Sequence, residues 1–461
     1  MPADRLVSVL GLGFGDCGKG HLTDFLVRRH RAHTVVRCNG GAQAGHNVVL
    51  ADGRHHTFSQ FGAGSFSAGV FTLLAQPVVV HPGALLEEAR ALERVGVGDA
   101  FERLRVDPRC RLTTPFHQAA NRLRERRRGA AAHGSCGTGF GETVGHALRW
   151  PDEALVWADL ARPGRALDKL AALRRRLRDE LEADAETRDS MPMQAHAEWR
   201  VFDDDGIAAR WLESARHAWR RVAELPADGI AARLAKPGTL VAEGAQGVLL
   251  DERHGFAPHT TWSTTGSAGV EATFAEAGRP REVTHLGVLR SYLTRHGAGP
   301  LPTHDPALDA ALGEPHNAAS SWQGSFRRGH ADAILLRYAL AATGPLHGLA
   351  VTHLDVFARR VPLGWCTSYG AAAGTIDRRC CEIDPHVADR VVGLRLVGDA
   401  PHGSTQGLTA LLSGARPEYD PRPPADAASF VGRIGSESGL PVLFRSFGPT
   451  PDDIASTKDV S

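Results

Sequence analysis

Residues 9–24 carry the side chains best suited to phosphate chemistry. The apolar pair Val9-Leu10 runs into Gly11-Leu12-Gly13-Phe14-Gly15-Asp16-Cys17-Gly18-Lys19-Gly20, and Leu22, Phe25 and Leu26 then fall on one side of a helix. A strand, a glycine-rich turn and a helix start present backbone N–H groups to an anion. Gly13-x4-Gly18-Lys19 matches the opening of a phosphate-binding loop, while Gly13-x-Gly15-x-x-Gly18 matches a dinucleotide fingerprint. Gly20 lacks the hydroxyl that such a loop uses to hold magnesium. Arg37-Cys38-Asn39 stands where the dinucleotide site wants an acid, so only an NADP version of that reading fits. Asp16 repels a bare phosphate unless a divalent cation lies between them or the carboxylate serves as a base. The pattern reads as a phosphoryl-transfer loop with a carboxylate built in. Composition supports it: lysine occurs only at positions 19, 169, 236 and 458 in an arginine-rich chain, and one is kept here. A compact ammonium suits a phosphate cradle.

Further groups with chemical reach sit in other polar loops. Asn39-Gly40-Gly41-Ala42-Gln43-Ala44-Gly45-His46-Asn47 offers His46 to a transferring phosphoryl group. His133-Gly134-Ser135-Cys136-Gly137-Thr138-Gly139 exposes backbone donors, and Glu243-Gly244-Ala245-Gln246-Gly247 offers an amide that both donates and accepts. Arg327 and Arg328 are expected at the start of the amphipathic helix Asp332–Ala342, where a bound anion would offset their unfavourable dipole interaction.

These loops need strands to hold them. Apolar runs predict strands at Thr34–Arg37, Leu73–Val80, Thr239–Ala242, Leu286–Arg290, Leu349–Thr352 and Leu440–Arg445, with a hairpin over Val48–Phe58 turning at Ala51-Asp52-Gly53. A helix is expected from Gly83 to Val95. Residues 160–236 are charged and helical in period, with Trp199, Trp211 and Trp219 as core. Arg122–Arg128 reads as a solvated helix face. The fold class is therefore α/β: a large, mostly parallel central sheet with flanking helices, in one domain over 1–461 with a helical insertion around 115–236. In such sheets ligands bind at the carboxyl ends of the strands.

Composition sets outer limits. The chain has 461 residues, 42% hydrophobic and 23% charged, with a formal net charge of +1. That balance gives no electrostatic case for nucleic acid or membrane binding. Seven cysteines in no framework spacing, no secretory leader and no apolar run near about 18 residues predict a cytoplasmic protein without structural zinc.

Read together, the loops resemble adenylosuccinate synthetase. The matching stretches are Gly15–Gly20, Gly40–His46, Glu243–Asp251 and Thr352–Val356, with weaker echoes in Thr294–Pro300 and Ser446-Phe447-Gly448-Pro449. The resemblance implies a P-loop-like α/β subunit that forms a homodimer. It also implies a ligase acting on small molecules: the γ-phosphoryl of GTP moves to the purine 6-oxygen of IMP, and the amine of aspartate displaces it. Asp16 would be base and Mg2+ ligand, with the Gly45 carbonyl also on the metal. His46 would steady the moving phosphoryl group and Gln246 the oxygen that receives it. Gly15, Gly18, Lys19, Gly20, Ser446, Gly448 and Arg327 would bind nucleotide and phosphate, and Asp355 would read guanine. Gln43, Ser135, Cys136, Thr261, Arg149 and Arg328 would bind the substrates, Arg149 standing for the arginine that enters the partner subunit's site.

The departures are asymmetric. Cys17 replaces a Glu, Gln43 an Asn and His353 a Lys. The IMP-phosphate loop loses a Thr to Cys136 and an Arg to Thr138, and the aspartate loop Ser321–Arg328 keeps two arginines of a longer run. Phosphate-moving groups persist while groups for the acceptor's phosphate and the amine's carboxylates are eroded. Losing one charge-assisted bond costs about 1.5–3 kcal/mol. The expected function is a divergent C–N ligase of a specialised pathway, such as nucleoside-antibiotic assembly, using GTP, with ATP as the other donor that His353 allows. An ordinary adenylosuccinate synthetase of purine biosynthesis and an inactive purine-nucleotide-binding regulator are the competing readings.

Overall fold

The computed structural model describes residues 5–183, 193–222, 227–278, 282–314, 317, 322–371, 376–398 and 404–457. Nine strands form the central sheet: β1 Arg5–Gly11, β2 Thr34–Arg37, β3 Phe71–Leu74, β4 Leu104–Val106, β5 Thr239–Glu243, β6 Thr284–Arg290, β7 Gly348–Thr352, β8 Val442–Ser446 and β9 Ile454–Ser456. Their order across the sheet is β9-β8-β7-β6-β1-β5-β2-β3-β4. Every pairing is parallel except the last, between β8 and β9. Central strands such as β1, β2 and β5 are buried along almost their whole length, which is why they read as unbroken apolar runs rather than alternating ones.

The register brings Val9 of β1 beside Glu243, and Arg37 of β2 beside the same residue. The loops after β1, β2, β5 and β7 therefore leave the sheet at one edge. Helix α1, Lys19–His30, follows β1 directly. Helices α2, Pro115–Arg128, and α3, Phe140–Arg149, flank the loop between them. The charged region after them folds as helices Pro163–Ala183, Met193–Asp203, Ile207–Arg221 and Ala227–Ala235. Trp199 is buried in their core, with Trp211 and Trp219 packed against it.

Three local expectations change. The run Leu73–Val80 divides: β3 ends at Leu74, and Val79–Val80 pairs instead with Arg111–Leu112. Pro77 has no N–H to give a ladder, and Val78 N closes a turn onto Ala75 O at 2.9 Å. Arg327 and Arg328 lie in the strand Phe326–Gly329, paired antiparallel with Leu293–His296, and not at a helix start. The helix that follows, Ala333–Thr343, is capped by the Asp332 carboxylate, which accepts from Ile334 N and Leu335 N. Nor is Arg122–Arg128 simply a solvated face. Arg122 donates to Gly137 O at 3.0 Å, and its guanidinium and that of Arg126 lie over the Trp322 ring. Arg124 bonds Glu142 and Glu180. The face is turned toward the 133–139 loop, so its cations find partners within the chain.

Candidate functional site

The loop after β1 owes its shape to left-handed residues: Gly15, Asp16 and Gly18 have φ of 96°, 47° and 86°. Helix α1 starts at Gly18 without a side-chain cap, which leaves its first N–H groups for an anion. Lys19 is only 3% exposed, and among the described residues the hydrogen-bond partner of its ammonium is Cys17 Sγ at 3.7 Å. A buried cation without a carboxylate calls for a negative ligand. The loop is held from behind by Leu249 N donating to Gly13 O at 3.1 Å and by Thr352 Oγ1 donating to Cys17 O at 3.1 Å.

His46 opens the hairpin strand His46–Val49, which pairs with His55–Phe58 around the expected turn. Its Nδ1 lies 2.7 Å from Glu243 Oε1, while Oε2 of the same carboxylate accepts from Ala63 N at 3.1 Å. Burial raises the pKa of Glu243, but His46 and Arg37 more than offset it and leave the acid ionised. Burial outweighs Glu243 at the imidazole and pushes its pKa down to about 4. His46 is thus a neutral ring with Nδ1–H fixed on a carboxylate. A phosphoryl group arriving at Nε2 brings the negative charge that would draw a proton onto it.

The phosphate loop and His46 line one cavity of about 1310 Å³. Gly15, Asp16, Lys19, Gln43, Gly45 and His46 form one wall, and Ser135, Cys136, Arg149, Gln246 and Thr261 contribute to the remainder. The amides of Gln43 and Gln246 are buried there, and neither the N nor the O of either has a hydrogen-bond partner among the described residues. Gln246 also sits at φ 58°, a strained conformation for a residue with a side chain. Four buried, unmet polar atoms on residues that line the cavity are candidates for a substrate's own donors and acceptors.

The far end of the cavity is different. Arg124 is engaged by Glu142 and Glu180, Arg128 by Glu125 at 2.5 Å, and Arg149 by Glu180 at 3.4 Å. The Glu125 carboxylate also accepts from Gly134 N and Ser135 N, at 3.0 and 3.1 Å. Ser135 Oγ donates to Asn121 Oδ1, and Cys136 Sγ meets Thr138 Oγ1 at 3.0 Å.

Other expected residues lie outside this lining. Gly18 and Gly20 face the protein, a Cβ on them meeting Thr352 and His46 respectively. Asp355, Ser446 and Gly448 share a neighbouring wall, where Leu354 N donates to Ser446 O at 3.0 Å and Asp355 pairs with Arg359 at 3.7 Å. Arg327 is spent on the carbonyls of Gly297 and Gly299, and Arg328 on Phe326 O and Asp309. Ser321 falls outside the described residues. Two groups escape a sequence reading. Glu243 had only its place at the end of a buried strand as a signal. Arg295, buried against three backbone carbonyls with its pKa lowered to about 9 by burial and by Arg327, had only the weak family echo of Thr294–Pro300.

Magnesium fits this donor set. Among the described residues no three His, Cys, Asp or Glu groups cluster as a metal cage. The Asp16 carboxylate and the Gly45 carbonyl instead offer hard oxygens beside the phosphate loop, and nucleotide oxygens usually supply the rest.

Known proteins resemble this chain along nearly its whole length. The family profile described as Adenylosuccinate synthetase matches residues 8–455. The adenylosuccinate synthetase of Azotobacter vinelandii is 33% identical over 449 residues, covering 96% of each chain. That of a Mycobacterium species is 30% identical over 462 residues, covering 100% of this chain and 99% of its own. The fully ligated adenylosuccinate synthetase of Plasmodium falciparum superposes with a TM-score of 0.74 at 19% identity, covering 99% and 100% of the two chains. The succinoaminodeoxyadenylate synthetase of cyanophage S-2L, bound to dGMP and dATP as energy donor, superposes with a TM-score of 0.59 at 17% identity over 99% and 96%.

Proposed function

The chain belongs to the adenylosuccinate synthetase family of ligases, and on that premise we propose that it couples GTP to C–N bond formation at an amide-type oxygen of a purine-like acceptor. The observation that carries this reading is the shared cavity of Asp16, Lys19, His46 and Gln246, with its uncompensated ammonium and unmet amide.

The steps follow from the residues. Lys19 and the N–H groups at the start of α1 hold the triphosphate. Asp16 takes the proton from the acceptor's ring nitrogen, which drives charge onto the oxygen that Gln246 holds. That oxygen attacks the γ-phosphorus, the bond to the β–γ bridging oxygen breaks to release GDP, and His46, locked by Glu243, meets the charge on the moving group. An amine then displaces the phosphate. Magnesium, when bound at Asp16 and Gly45, would neutralise charge on the phosphates. The Asp355 wall favours guanine in the donor.

A narrower reading, a specialised ligase with an acceptor and amine other than IMP and aspartate, is favoured by the far end of the cavity. Arg124, Arg128 and Arg149 are already paired there with carboxylates of this chain, and Arg295, the other arginine of the lining, is turned onto three backbone carbonyls, which weakens the case for an incoming phosphate. The phage protein is one in this fold that is bound to dGMP, with dATP as its energy donor. Activity of the whole-length synthetase relatives favours IMP and aspartate instead. Incubation with GTP, Mg2+, IMP and aspartate, followed by the absorbance of the adduct, decides between them. Rapid turnover refutes the specialised reading; none, with GTP analogue still bound, supports it. Failure to bind any nucleoside triphosphate removes both.

A further inference from the structure

We infer that His296 is a positioning residue for Asp16, an assignment that rests on the ligase reading above. His296 ends the strand Leu293–His296, and its Nε2 lies 3.2 Å from Asp16 Oδ2. Among the described residues it is the one side chain within hydrogen-bond distance of that carboxylate. The other anchor of Asp16 is through its backbone, whose carbonyl accepts from Arg290 Nε.

Asp16 needs such a partner. It holds φ 47° with Gly15 before it and no side-chain cap, so the backbone fixes where the carboxylate starts but not its plane. The imidazole is itself fixed. Antiparallel pairing sets His296 opposite Phe326, and the rings pack in a tilted arrangement, 4.6 Å between centroids with planes 52° apart. Gly297, the next residue, is tied down by Arg327, which donates to its carbonyl at 2.6 Å. Both His296 and Asp16 line the large cavity. A ring packed on one side and presenting Nε2–H to Oδ2 on the other fixes the carboxylate's plane and leaves its remaining lone pairs for the acceptor's proton and the cation. This also gives Arg327 and Phe326 a purpose: they hold the strand pair that delivers the imidazole.

Two variants separate the hydrogen bond from the packing. His296→Phe keeps the ring contact with Phe326 and removes the donor; His296→Gln keeps an amide N–H near the Nε2 position and removes the ring. With the acceptor and amine that turn over, the Phe variant should lower kcat by about tenfold to a hundredfold while KM moves by less than about threefold, and Gln should recover most of the loss. A structural role would move both variants alike. A second readout needs no substrate. In protein labelled with 15N-histidine, the signal absent from His296→Phe should show the Nε2–H tautomer and shift in Asp16→Ala. An Nδ1–H tautomer, a signal indifferent to Asp16→Ala, or equal loss in Phe and Gln variants overturns the assignment. Absence of turnover with every acceptor defeats the ligase reading instead, and the tautomer still decides where His296 points.

Discussion

Glu243 is wholly buried and never reaches the cavity, yet the behaviour of His46 depends on it. Its carboxylate fixes which imidazole nitrogen carries the proton, and so which one is free to meet phosphate. Glu243→Gln preserves shape but removes the charge that steadies an imidazolium. We expect kcat to fall by about 10²–10⁴ with little change in GTP-analogue affinity, measured by single-turnover kinetics and calorimetry. An unchanged rate would mean that His46 takes no part in the transfer. At this scale the division of labour is sharp: among the described residues Lys19 has no carboxylate partner and the amides of Gln43 and Gln246 have no hydrogen-bond partner, whereas Arg124, Arg128 and Arg149 are paired with carboxylates.

Loops of the sheet edge are not independent elements, because they touch backbone to backbone. A Cβ on Gly247 would lie 2.1 Å from Gly13 O and 2.7 Å from Gly15 N, both atoms of the phosphate loop. Neither can move without reshaping the turn that carries Asp16. Gly247→Ala should therefore destabilise the fold by about 1–3 kcal/mol in denaturant titrations. It should also weaken GTP-analogue binding while far-UV circular dichroism is retained. Full affinity in this variant would show that the loop adapts and that its observed shape is not what binds phosphate. The strand pair Leu293–His296 and Phe326–Gly329 works in the same way, since its pairing and not its local sequence aims His296.

Across the whole molecule, the helical layer sets how the protein meets acid. His146 on α3 is buried against His117 and Trp150, with Arg149, Arg176, Glu153 and Glu180 around it, and burial pushes its pKa down to about 4. In the unfolded chain it titrates near the ordinary value of about 6.5. The unfolded state thus binds the extra proton first, so this contribution to stability is complete above about pH 6.5 and is lost as pH falls toward 4. The slope from one such group is about 1.4 kcal/mol per pH unit in that window. His146→Phe should flatten the fall in unfolding free energy between pH 7 and 5; an identical profile would show that the ring already protonates freely in the fold.

How far the amino-acid order reached can be judged element by element. Periodicity placed the central strands, the hairpin and the helix after Pro82, because strands buried on both faces and helices with one wet face leave local signals. The glycine-rich loops were legible for the same reason: left-handed residues and helix starts are properties of a few neighbours. Arg327 and Arg328 were misplaced at a helix start because strand pairing with a segment some thirty residues earlier leaves no local mark. The cations of α2 were misread because their carboxylates come from distant helices. So the sequence alone determined the chemistry available and the loops that carry it. Only the tertiary structure decided which charges remain free, since a charge is spent or available according to what packs beside it.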